Sequence, residues 1–183
     1  MRALFAFFWV WIALLLPFDA ARCSEAGPLT ISIPRGFEGP IRSDEEGGVT
    51  VAWVNRRPVT DGGTLLQVSS IDVGASLDGI TLAQRAEGAK HYLVEFARGL
   101  AQRLGAFTLG EIDRLTLAGL PAARAKWSGT VGGSPSVGVM YCVLVGHTVV
   151  SLQTQDAGTE ITPAMYSAMG AIEGVRVRPQ TQP

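Results

Sequence analysis

Two places in this sequence gather side chains capable of chemistry. The stretch Tyr141-Cys142-Val143-Leu144-Val145-Gly146-His147 sets a thiol five residues before one of only two histidines, the makings of a nucleophile with its base or of half a metal site. In the second place Glu87, His91 and Glu95 recur every four residues. On a helix they stack along one side, and histidine with carboxylates can bind zinc or copper. Whether either set works depends on the elements that position it.

The first set reads as a hairpin. With Gly146-His147 as a two-residue turn, Val145 opposes Thr148, Leu144 opposes Val149, and Cys142 opposes Ser151. At ~3.3 Å per residue, His147 then lies roughly 16 Å along the strand from Cys142, whereas a nucleophile and its base need about 3 Å. The same distance argues against a shared metal. Period two places Met140, Cys142 and Leu144 on one face and Val139, Tyr141, Val143 and Val145 on the other. Both faces are apolar, as in a central strand covered on each side. Cys142 is expected as a small buried hydrophobe and His147 as an exposed turn residue.

The second set has little support. One helix supplies at most two well-placed ligands, and no cysteine or second histidine is positioned to add to Glu87, His91 and Glu95. These three are the only metal-ligand candidates, and the expectation is a solvated stripe with no metal or cofactor. Hydrolase, nucleotide and dinucleotide signatures are missing: there is no Gly-x-Ser-x-Gly elbow, no phosphate loop and no Gly-x-Gly-x-x-Gly. Gly132-Gly133-Ser134-Pro135-Ser136 reads as a connection between strands. No catalytic residue is proposed, and the chain is not expected to be an enzyme.

The charge balance excludes another class. A formal net charge of -1, with no lysine- or arginine-rich run, disfavours nucleic-acid binding. The start of the chain points to export. Met1-Arg2 is followed by an apolar run from Ala3 to Phe18 and by small residues at Ala20, Ala21, Ser24 and Ala26, the three parts of a cleavable secretory signal. The run is about 16 residues against the ~20 of a spanning helix. Residues 1–26 are therefore expected as a leader to a periplasmic or secreted protein, with cleavage after Ala20 or Ala21 as the other options. Membrane contact follows only if the leader stays. Arg22 directly before Cys23 argues against lipidation of that cysteine.

The remaining 27–178 read as one α+β domain, and 179–183 as a polar tail. Short strands are expected at Leu29–Ile33, Val49–Val54 and Thr64–Val73, with a charged loop from Arg42 to Gly48. Thr81 and Gln84 have capping-box spacing. Leu82, Ala86, Ala89, Leu93, Phe96, Leu100 and Leu104 then mark one apolar face of a long helix ending at Gly105. Strands follow at Ile112–Leu117 and Ala122–Val131, then the Val137–Gln155 hairpin. A last helix is capped by Thr162, with Pro163 at its first position, Ile161 stapled to Tyr166, and Gly174 at its end. Val175–Arg178 closes as a strand. Trp53 and Trp127 sit on strands, as core or as the lining of a cleft.

Ile31-Ser32-Ile33-Pro34-Arg35-Gly36-Phe37, Leu117-Ala118-Gly119-Leu120-Pro121-Ala122, the Tyr141–Gln155 hairpin and the closing Ile172-Glu173-Gly174-Val175 together resemble the PsbP-like and DcrB-like group of exported or lumenal domains. The resemblance implies an α-β-α sandwich, a mainly antiparallel sheet flanked by a long helix and a short C-terminal helix. For function it implies an accessory or binding role in the cell envelope, and it carries over no site residue. DcrB-like members are often lipoproteins, a pattern from which Arg22 before Cys23 departs. The sequence thus points to an exported envelope protein that binds another envelope protein. The alternative is a small-molecule or lipid carrier using a cleft between the long helix and the sheet.

Overall fold

The hairpin of β8 (Ser134–Val145) and β9 (Thr148–Ala157) lies inside the main sheet, and its register is the one its glycine turn dictates: Val145 opposes Thr148, and Cys142 opposes Ser151. Gly146 turns the chain at φ 57°, a left-handed value that glycine takes without cost. The computed structural model describes residues 22–45, 48–57 and 62–179. The apolar part of the expected leader, residues 46–47 of the expected charged loop, residues 58–61 and residues 180–183 of the tail lie outside the described residues.

The sheet grows outward from the hairpin as seven antiparallel strands in the order β3-β4-β5-β9-β8-β7-β6. These are β3 (Glu38–Glu45), β4 (Gly48–Arg56), β5 (Gly63–Asp72), β6 (Gly105–Leu117) and β7 (Leu120–Val131) beside the hairpin. A smaller sheet has the order β1-β2-β10, with β1 (Arg22–Ala26), β2 (Leu29–Ile33) and β10 (Arg176–Val177). The described residues also form two helices, α1 (Leu82–Ala101) and α2 (Pro163–Glu173), and a 3-10 turn at Gly74–Leu77 precedes α1.

Period two divides the main sheet into two cores, one per face. On one face Val51, Trp53, Leu66, Val68, Val139, Tyr141, Val143 and Leu152 pack with β2 and with Met165, Ala168 and Ile172 of α2. On the other, Ala123, Ala125, Trp127, Met140, Cys142, Leu144 and Val149 pack with Ala89, Leu93 and Ala97, the buried stripe of α1. The result is an α+β sandwich of three layers. Trp53 and Trp127 fall on opposite faces, so they line no common cleft and each is core.

Gly138 explains how Trp127 fits. A Cβ at Gly138 would come within 2.2–2.4 Å of the indole, so the ring lies across β8 only because residue 138 has no side chain. Its face is completed by Phe107, with ring centroids 5.9 Å apart.

Local signals set the helix ends. Thr81 and Gln84 form the full reciprocal capping box of α1. The far end differs from the sequence expectation: α1 stops at Ala101, where the amides of Arg103 and Leu104 both close onto the Leu100 carbonyl. Gly105 instead opens β6, and its bareness serves close strand approach, since a Cβ there would meet Thr130 Oγ1 at 2.5 Å. At α2 the Thr162 hydroxyl accepts from the Met165 amide and Pro163 occupies the first turn, as expected. Tyr166 of the expected staple is 62% exposed. The final strand is shorter than expected, Arg176–Val177 alone.

Two strands depart from the sequence reading. β3 occupies part of the segment expected as a charged loop, because an edge strand is half solvated and carries polar residues readily. β1 covers the last five residues of the expected leader, with Ala26 at 1% exposure in the core and Glu25 ion-paired to Arg178.

One buried carboxylate joins the layers. Asp156 on β9 is fully buried and accepts from Thr64 Oγ1 of β5, from Arg57 Nη2 at 3.0 Å, and from the Thr162 amide and hydroxyl at 2.8 and 2.7 Å. Replacing one partner of such a set strands the others in a dry site. Asp156→Asn is expected to cost about 3 kcal/mol, a fall in Tm of roughly 6–12 °C for a chain of this length. Urea denaturation and a thermal melt measure it, and a loss below about 1 kcal/mol would show the network to be dispensable.

Candidate functional site

Of the residues singled out in the sequence, the structure brings none of the sets together. Cys142 is fully buried under α1, and burial pushes its thiol up to about 12. His147 stands exposed at the hairpin tip, where its Nε2 meets Asp78 Oδ1 at 2.6 Å, a residue just past the 3-10 turn. The thiol and imidazole are separate, each with its own surroundings. On α1, Glu87 is bonded to Arg114 of β6, Glu95 to Arg98 at 2.6 Å, and His91 packs edge-on to Tyr92. Among the described residues no cluster of three His, Cys, Asp or Glu side chains is placed to hold a metal ion.

The ionisable cluster that sequence reasoning missed sits at the C-terminal end of α2. Tyr141 of β8 donates its hydroxyl to Glu173 Oε1 at 3.1 Å. Arg124 of β7 lies 3.6 Å from the same carboxylate and donates to Asp113 Oδ2 of β6 at 2.9 Å. Burial, then the Glu173 charge, raises the Tyr141 phenol well above its ordinary value, so it remains a hydrogen-bond donor. The bond to Asp113 raises Arg124 further. Such a set orients and ties elements, here three strands and a helix. A signal for it is present in β7, where Arg124 and Lys126 alternate with Ala123, Ala125 and Trp127 and so share one face.

A cavity of about 470 Å3 opens at the turn end of the sheet and not under α1, whose interface with the strands is filled by the second core. Its walls are Ala118, Leu120, Val145 and Val177, together with Arg85 and Arg178. Arg178 is held by Glu25 at 3.2 Å and donates to the Gly27 carbonyl. Arg85, half-buried in the first turn of α1, reaches the carbonyls of Leu144 and Leu77, each at 3.5 Å.

No family model matches the sequence, and no curated protein matches it. Among solved structures the chain is similar to LpqN of Mycobacterium tuberculosis, a protein involved in cell envelope biogenesis. The TM-score is 0.51 and the identity 18%, over 82% of this chain and 83% of that one. A crystal structure from Bacteroides thetaiotaomicron gives a TM-score of 0.50 at 10% identity, over 87% of this chain and 48% of that one. The yeast Ran-binding protein Mog1p gives 0.49 at 12% identity, over 86% and 96%. The first two likenesses show a shared α+β fold.

The thiols provide a direct check of the geometry. In the chain carrying both cysteines, a thiol reagent at pH 8 is expected to titrate exposed Cys23 within minutes and Cys142 only after denaturant is added. Two equally fast thiols would overturn the buried placement. Because folding raises the Cys142 thiol from about 9 to about 12, its contribution to stability is complete below pH 9 and is lost as pH rises through that window.

Proposed function

We propose that the chain is an exported, non-catalytic accessory protein of the cell envelope that works by binding another envelope protein. One pairing of observations carries this reading. A positively started apolar leader, Met1 to Phe18, precedes a domain whose fold is similar to that of LpqN, a protein of envelope biogenesis. The disposition of ionisable groups supports the non-catalytic part. Asp156 is saturated by structural donors, Tyr141 and Glu173 hold each other, and Cys142 is a dry thiol. None has the exposed, convergent arrangement that a reacting centre uses.

The sheet gives such a protein two places for a partner. Its outer strands are β3 and β6, whose outward backbone groups are available to an added strand. β6 carries two register shifts along its length and β3 carries one, irregularities that discourage indiscriminate pairing. On β3, Ile41 is 59% exposed and offers an apolar anchor.

Fractionation with intact mass tests the reading. The protein is expected in the envelope fraction with a mass that lacks the apolar leader but retains Arg22–Ala26, because removal of β1 would uncover the core around Ala26. A cytosolic protein still starting at Met1 would refute export. A crosslinking capture from intact envelopes that returns no specific protein would refute the binding role.

A further inference from the structure

We infer that the cavity at the turn end of the sheet binds an anionic amphiphile, a ligand with one negatively charged group and a short apolar chain. The cavity is built by the topology. β7 pairs with β8 so that Ala122 opposes Val143, which brings the Ala118-Gly119 turn beside the Gly146-His147 turn. β10 supplies Val177 and the adjacent Arg178 from the smaller sheet, and α1 supplies Arg85. The space, about 470 Å3, is open to solvent on one side, so a chain lying in it is covered in part.

Charge selects the head of the ligand. Arg178 is neutralised by Glu25, but Arg85 has no carboxylate within ion-pair distance among the described residues. Among the described residues its acceptors are two backbone carbonyls at 3.5 Å, the outer limit of a hydrogen bond. The half-buried guanidinium keeps donors that these long contacts do not fill, and an anion presenting two oxygens satisfies its planar fork. The site therefore carries one uncompensated positive charge. The other walls select the tail: Ala118, Leu120 and Val145 give an apolar lining, and Val177 at the rim is left 40% exposed. A hydrated inorganic ion gains nothing from those walls, and a neutral chain gains nothing from Arg85.

A free alkyl phosphate or carboxylate and the headgroup of an anionic membrane lipid present this same chemistry, and the test separates them. The full chain is titrated calorimetrically with octyl phosphate, inorganic phosphate and octyl glucoside. Octyl phosphate is expected to bind at least about tenfold tighter than either of the others, the worth of one charge-assisted pair. Arg85→Gln should remove that advantage while leaving octyl glucoside unchanged, and Arg85→Lys should retain part of it. Val177→Trp, at an exposed rim position that leaves both cores intact, should fill the space and abolish octyl phosphate binding; each variant is checked by its Tm. Sedimentation with phosphatidylglycerol vesicles but not phosphatidylcholine vesicles identifies a bilayer source, and binding of monomeric octyl phosphate alone identifies a free amphiphile. Equal affinities for octyl phosphate and inorganic phosphate would overturn the inference, as would unchanged binding by both Arg85→Gln and Val177→Trp. The titration reads the purified chain, so it succeeds or fails independently of where fractionation finds it.

Discussion

The layers of this fold are held in register by a charge that water does not reach. Desolvating a carboxylate costs several kcal/mol, and Asp156 recovers that only because four donors converge on its two oxygens. The donors come from β5, from the segment after β4 and from the start of α2. Thr162 is the hinge of the set: its hydroxyl proton goes to Asp156 while its lone pair accepts from the Met165 amide. The cap of α2 and the anchoring of β9 are thus one interaction. Apolar burial gives the sandwich most of its free energy without direction, and this polar contact fixes where α2 begins relative to the sheet.

The two helices divide the sheet between them. α1 packs on β7 and β8, with β6 and β9 at its flanks, whereas α2 sits on the opposite face against β9, β5 and β2. The residues follow the coverage. One row on the α1 side runs Thr50, Ser69, Ser151, Cys142, Ala123 across β4, β5, β9, β8 and β7, changing from hydroxyls to apolar groups as it passes beneath α1. The Thr50 and Ser69 hydroxyls bond each other at 2.9 Å, and Gln67 reaches Ser69 at 3.1 Å, so the uncovered part of the face satisfies itself. An antiparallel sheet permits this mixed coating on one face.

What could be read in the sequence was whatever is encoded locally. The Gly146 turn with apolar alternation gave the hairpin register residue by residue, and Thr81 with Gln84 marked the start of α1. β3 escaped because Gly39, Pro40, Arg42 and Asp44 are residues that either a loop or a charged edge strand accepts. β1 escaped because its five residues also satisfy the pattern of a leader's end. The Asp156 network and the turn-end cavity are assembled from residues far apart in the chain, Arg57 with Asp156 and Arg85 with Val177. No local period announces such a meeting, and on the helix Arg85 reads as one more solvated charge.

The absent side chain at Gly138 has a consequence for how this protein can change. Because the indole of Trp127 occupies the place where a Cβ would stand, no single substitution at residue 138 is free of collision, even to alanine. A smaller residue at 127 would remove the collision but leave an empty space between β8 and Phe107. Each position is thus locked by the other. Descendants of this sequence can alter the pair together, through a poorly packed intermediate, or keep a bare glycine in the middle of a sheet whose strand propensity would otherwise disfavour it.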